Sequence, residues 1–165
     1  FFGLPPEKVE VLVHPESLVH ALVSFRDGGM IAHLGAPDMR HAIGYALNWP
    51  ERSHLPVARL DLARIGRLSF AAPDPQRYPA LRLAREVMEI GGAAGAAFNA
   101  AKEAALDAFL AARIGFTEMA AVVEGVITRM SADPALGIAP ATLDMVLDTD
   151  RAARRTAAEV IARLH

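Results

Sequence analysis

Four histidines in the first quarter of the chain, His14, His20, His33 and His41, are the residues best able to do chemistry. An imidazole can ligate a metal, shuttle a proton, or act as a charge-switching donor near neutral pH. Their spacings do not match the i, i+4 pairing of a helical ligand set, and no carboxylate stands beside them at metal-ligand spacing. We therefore assign no metal ligands in this chain. His20 is the strongest single candidate, because of what the local pattern places near it. In "LVHALVSFRDGGMIAHLG" (residues 18–35), two β-favouring runs flank Asp27-Gly28-Gly29, the chemistry of a tight hairpin. Alternation puts Val19, Ala21, Val23 and Phe25 on one face and Leu18, His20, Leu22 and Ser24 on the other. A two-residue turn at Asp27-Gly28 or at Gly28-Gly29 sets His20 opposite Gly35 or Pro37.

That position belongs to the corner "LGAPDMR", residues 34–40. Pro37 and Met39 have two readings there. Pro37 ends the strand and Met39 plugs the core, or together they form an apolar lip beside a titratable ring, which is a ligand-binding edge. On the residues alone both readings stand. Elsewhere the chemistry thins out. "GGAAG" (91–95) lacks the Lys-Ser/Thr ending of a phosphate loop and follows a helical pattern, so it reads as a joint between helices. Asn99 and Glu103, one turn apart, read as a buried polar link between helices. The remaining acidic residues mix with Arg at helical spacing and read as solvated faces. Neither a Ser/His/Asp set, a carboxylate pair nor a dinucleotide fingerprint can be assembled.

The elements that must hold these residues change along the chain. A short apolar run, "VEVLV" (9–13), precedes His14-Pro15, and the hairpin follows. A short helix comes next, with Asp38 as its N-cap, Met39, Ile43, Ala46 and Leu47 at helical spacing, and a stop at Asn48-Trp49-Pro50. Residues 51–76 show repeated Pro and Gly interruptions and no sustained period. From residue 77 four amphipathic stretches follow, the third opened by Thr117 as N-cap and the last running from about 149 to 164. Short Gly- or Pro-marked joints separate them, which predicts a small antiparallel bundle whose alanines allow close helix approach.

Of the 165 residues, 53% are hydrophobic, enough for a packed core and against wholesale disorder. A net charge of −2 with scattered arginines gives no basic stripe for nucleic acid. The absence of Cys excludes disulfides and fits a reducing compartment. No apolar run reaches the roughly 18–20 residues that span a bilayer, so no membrane partner is expected. The opening "FFGLPPEKVE" lacks an initiator Met and a signal-peptide pattern, and it reads as the continuation of a longer polypeptide.

Taken in order, "VEVLVHPESLVHALVSFRDGGMIAHLGAPDMR", "ALNWPER", "LSFAAPDPQRYPALRLA" and "AAFNAAKEAALDAFL" closely resemble the 1-deoxy-D-xylulose 5-phosphate reductoisomerase family along essentially the whole chain. The motifs His14-Pro15-x-Ser17 and Leu34-Gly35-x-Pro37-Asp38-Met39-Arg40 are together highly specific, with Glu16 where the family has Gln. The resemblance implies an NADPH-dependent oxidoreductase and isomerase of isoprenoid biosynthesis. It would rearrange and reduce 1-deoxy-D-xylulose 5-phosphate to 2-C-methyl-D-erythritol 4-phosphate, assisted by Mg²⁺ or Mn²⁺. It further implies a cytoplasmic homodimer and an α+β chain: the hairpin-containing end of an α/β catalytic domain (residues 1–58), a connecting segment (59–76) and a C-terminal four-helix bundle (77–165). By the same resemblance His20 and Ser17 contact the sugar-phosphate substrate, while Pro37 and Met39 line the pocket beside the nicotinamide. The dinucleotide-binding domain and the acidic metal ligands fall in a missing N-terminal part, so this chain alone is expected to bind neither cofactor well and to turn over nothing. The competing expectation is a free-standing, non-catalytic helical-bundle interaction module. A related reductoisomerase-like enzyme of the same route fits the motifs less closely.

Overall fold

Alternating β-branched residues around a Gly-rich turn, and alanine-rich helical periods, build two units of different character. The computed structural model describes residues 3–164, which fall into Glu10–Pro73 and a second unit made of residues 3–9 and 74–164. Residues 59–73, expected as part of a connector, group with the hairpin. The cause is local: Val13 and Ala71 exchange backbone hydrogen bonds of 2.8 and 3.0 Å as an isolated bridge. Within "VEVLV", Val13 alone makes a β contact.

In the first unit, β1 (Val19–Ser24) pairs antiparallel with β2 (Met30–Leu34). The turn differs from the expected two-residue loop. Phe25 O accepts from Gly28 N–H at 3.1 Å, and Phe25 N–H donates to Gly29 O at 2.9 Å, so three residues, Arg26 to Gly28, form the loop. Gly28 takes φ +87°, a left-handed position that glycine fills without steric cost, and the Asp27 carboxylate accepts Gly29 N–H at 2.8 Å. The longer loop shifts the register, so Ala21 faces His33 and Ser24 faces Met30. A second irregularity follows at His20. Val19 faces Leu34, which leaves His20 as the extra residue of a β-bulge. His20 is therefore opposite neither Gly35 nor Pro37.

Helix α1 (Arg40–Asn48) follows the corner, and its N-cap position is Met39, not the expected Asp38; Asp38 stands one residue earlier, where its carboxylate still accepts the Arg40 N–H at 2.9 Å. One turn of helix, α2 (Leu62–Ile65), is capped by Asp61. Among the described residues of this unit only Gly35 is buried, and the hairpin exposes large apolar side chains, Val23 and Ile31 among them.

The second unit holds the core. Helices α3 (Pro79–Ile90), α4 (Ala94–Leu110), α5 (Glu118–Met130) and α6 (Leu143–Ile161) pack on one another. Helix α4 contacts the other three and buries Ala94, Ala97, Ala100, Ala101, Ala105 and Ala108. A stripe of methyl groups lets neighbours approach, and α5 fills the space with Val122, Val123, Val126 and Ile127 while α6 adds Ala153, Ala157, Val160 and Ile161. The "GGAAG" stretch is the α3–α4 joint: Gly91 and Gly92 take φ +69° and +53°, and a Cβ on Gly92 would lie 2.4 Å from the Gly137 carbonyl carbon.

Three details differ from expectation. Helix α6 starts at Leu143, because the Thr142 hydroxyl accepts Met145 N–H at 3.3 Å and so extends the helix ahead of its buried face. Thr117 occupies its cap position but its side chain makes no capping bond. The Asn99–Glu103 link exists at 3.1 Å but is exposed, and Glu103 continues it to Arg154 of α6 at 2.6 Å. With six α-helices and one hairpin among the described residues, the fold class is α+β.

Candidate functional site

The motif His14-Pro15-Glu16-Ser17 is fixed before it reaches the hairpin. The His14 ring stacks on Phe70 with centroids 4.6 Å apart and planes 13° from parallel. Its Nδ1 lies 2.8 Å from Ser69 O and 3.0 Å from Glu16 Oε2. Both are acceptors, so Nδ1 carries the proton. The same Glu16 oxygen accepts Ser69 N–H at 3.2 Å. The Glu16 carboxyl is held below the ordinary glutamate range chiefly by hydrogen bonding with the Ser69 side chain, and the Ser69 backbone bond adds to it. The His14 side chain is 6% exposed, and its Nε2 is buried with no partner among the described residues.

Ser17 comes next, with φ +52°, the left-handed region that residues with a Cβ avoid. Its N–H donates to His14 O at 3.1 Å, and its own carbonyl accepts from His20 Nε2 at 3.1 Å. The bulge then re-aims His20. In an unbroken register His20 and His33 would project from opposite faces. In the bulged strand their rings lie 5.6 Å apart. His33 in turn meets His41 of α1 edge-on at 6.5 Å. Three imidazoles thus run from the bulge to the helix behind the corner. Among the described residues, however, no group of three or more His, Cys, Asp or Glu is placed to hold a metal ion.

The corner itself stands open. Met39 is 71% exposed and Pro37 is exposed, while β2 has already ended at Leu34. Neither a core plug nor a strand stop describes them. Asp38, between them, is locked to Arg40 through a bidentate contact, Nε donating to Oδ1 at 2.9 Å and Nη2 donating to Oδ2 at 2.5 Å. That hydrogen bonding is the main reason its carboxyl is pulled down to about 2. Behind the corner lies a cavity of about 700 Å³ whose lining includes Gly35, His41, Tyr45, Arg52 and Arg59. The Arg52 guanidinium sits 4.3 Å from the Tyr45 ring centroid.

Residues 34–156 match the family model described as DXP reductoisomerase C-terminal domain. This chain belongs to that family. A 1-deoxy-D-xylulose 5-phosphate reductoisomerase of Ruegeria pomeroyi is 65% identical over 163 residues, covering 99% of this chain and 41% of that protein. Its counterpart from Cereibacter sphaeroides (strain ATCC 17025) is 62% identical over 159 residues, covering 96% of this chain and 40% of that protein. Among solved structures, the enzyme from Zymomonas mobilis in complex with NADPH aligns with a TM-score of 0.85 at 42% identity, over 97% of this chain and 41% of that one. A DOX-P reductoisomerase in complex with NADPH, fosmidomycin and magnesium aligns at 0.80 and 38% identity, over 93% of this chain and 38% of that one. The chain thus spans about two fifths of the length of these family members.

Of the candidate residues, Ser17 and His20 are in direct contact, and Pro37 and Met39 share one exposed corner. The ring row links His20 to the helix that follows this corner. Sequence reasoning missed His33 and His41 as members of that row, and Glu16, Ser69 and Phe70 as its anchor. The row depends on a bulge, and the anchor joins residues more than fifty positions apart. Neither leaves a periodic signal.

Proposed function

We propose that this chain is the C-terminal portion of an NADPH-dependent reductoisomerase that converts 1-deoxy-D-xylulose 5-phosphate to 2-C-methyl-D-erythritol 4-phosphate. One observation carries the reading: 65% identity to a family member that runs through 99% of the chain. The exposed edge suits the task. His20 supplies a polar, titratable group for the sugar phosphate, with Ser17 supporting it, and Pro37 and Met39 supply an apolar wall of the right character for a nicotinamide face. Bound NADPH would furnish the hydride, and the role of this edge would be to hold and orient substrate and ring against each other. The Mg²⁺ or Mn²⁺ expected of the family does not fit the donor set here, since no described residues group as ligands. We assign no step of the reaction to a metal held by this chain. The unit Glu10–Pro73 serves as the end of the catalytic domain and the helical unit as the C-terminal domain of a cytoplasmic homodimer. No helix among the described residues is long and apolar enough to cross a membrane.

The test uses the complete polypeptide that carries this sequence at its C-terminal end. Substrate-dependent NADPH oxidation is expected there, and none from the 165-residue chain alone. An inactive complete protein would remove the reductoisomerase reading, and turnover by the isolated chain would remove the half-site reading. In the complete enzyme, His20→Ala should raise the substrate KM by about 10- to 100-fold, the worth of one hydrogen bond to a charged group. Met39→Ala should act chiefly on the KM for NADPH. Unchanged constants in both variants would return this edge to a purely structural role.

A further inference from the structure

Ser17 is the one residue of the edge whose backbone is unusual, and its side chain is not what the structure uses. Its hydroxyl makes no hydrogen bond among the described residues, whereas both its backbone groups do, to His14 O and from His20 Nε2, each at 3.1 Å. A carbonyl oxygen can only accept, so the second bond exists only if Nε2 bears the proton. In the neutral ring that leaves Nδ1 as the lone-pair nitrogen, and Nδ1 of the exposed His20 has no partner among the described residues.

We propose that Ser17 is a positioning residue acting through its main chain: its left-handed turn fixes His20 in the Nε2–H tautomer, so that Nδ1 is the atom presented to the sugar-phosphate ligand. The assignment of that ligand rests on the reductoisomerase reading above; the tautomer does not.

The turn is imposed from both sides. His14 and Glu16, the residues that bracket Pro15 ahead of Ser17, are both pinned to Ser69, and the His14 ring is clamped on Phe70. With its preceding residues anchored, Ser17 closes the His14 turn in a conformation it would not choose alone. The bulge at His20 completes the arrangement by bringing Nε2 back toward the Ser17 carbonyl, three residues earlier. The consequence is chemical. A fixed Nδ1 accepts from a substrate hydroxyl when the ring is neutral and donates to an anionic oxygen when it is protonated, without the ring having to flip.

Two measurements on the complete enzyme test this. With ¹⁵N-labelled histidine and no ligand present, long-range ¹H–¹⁵N correlation at a pH where the ring is neutral should show His20 protonated at Nε2. Observation of the Nδ1–H form overturns the proposal whether or not the protein is a reductoisomerase. The second compares Ser17→Gly with Ser17→Thr. Glycine keeps the left-handed turn and loses the hydroxyl, while threonine keeps the hydroxyl and, being β-branched, resists the turn. The substrate KM should be about tenfold higher in the Thr variant than in the Gly variant, with a mixed His20 tautomer in the former. The reverse order would show that the hydroxyl binds substrate and would sink the main-chain role. Should Ser17→Thr not fold, Glu16→Leu tests the same anchor: it should raise KM and mix the tautomers, and Glu16→Gln, which keeps an acceptor oxygen, should restore both. An unmixed tautomer in Glu16→Leu would also count against the proposal.

Discussion

The acid between Pro37 and Met39 gives the corner a pH dependence of its own. Asp38 has its carboxyl lowered from 3.8 to about 2 by its hydrogen bonds with Arg40. A group depressed in the folded state stabilises that state in full above its unfolded value and loses the contribution as pH falls through the folded one. The Asp38–Arg40 clasp should therefore hold the corner throughout the neutral range and release it only between about pH 4 and 2. A methyl-resonance titration of Met39 should show a change centred near that lower limit, and Asp38→Asn should abolish it. A Met39 titration that persists in Asp38→Asn would mean that another group orders the corner. Asp ahead of a helical period has a local meaning, so the bond of Asp38 to the first turn was legible in the sequence, while the cap position itself falls one residue later, at Met39. Ser17 was legible only through resemblance, since nothing in the residues His-Pro-Glu-Ser announces a left-handed backbone.

At the scale of elements, the helices were readable and the hairpin only in part. Helical periodicity is a property of neighbours along the chain, so the buried Ala97, Ala101, Ala105 and Ala108 of α4 follow from spacing alone. Loop length in the hairpin depends on one glycine taking φ +87°, and the bulge depends on packing of His20 and Ser17, neither of which alternation encodes. The helical unit offers sharp tests of its close approaches. Gly92→Ala would force a methyl to within 2.4 Å of the Gly137 backbone in addition to a strained φ, and should cost about 1–3 kcal/mol or more in urea unfolding. Ala101→Leu, at a fully buried position, should cost a similar amount, about 1–3 kcal/mol, by overpacking. If either variant unfolds at the same urea concentration as the parent, the helices are not tightly apposed at these positions.

Across the whole molecule, the two units differ in where their stability comes from. Every buried hydrophobic side chain among the described residues belongs to the helical unit, from Leu83 to Ile161. The hairpin unit exposes both faces of a two-stranded sheet, an arrangement that is marginal in water by itself. Hydrogen exchange on this chain should accordingly show slow amides in α4 and much faster ones in β1 and β2. Equal protection in both would mean that the hairpin is not marginal in this chain.

The alanines of α4 have one more effect, on how the helical unit responds to temperature. A methyl side chain has no rotamers to freeze, so ordering this core costs little side-chain entropy. It also removes little apolar area from water per residue, and the heat-capacity change of unfolding scales with that area. The unit should therefore unfold with a smaller heat-capacity increment and a shallower urea dependence than a leucine-rich bundle of equal length. Calorimetry would show this as a broad, flat stability curve: a domain whose stability is modest at its maximum but changes slowly on either side of it.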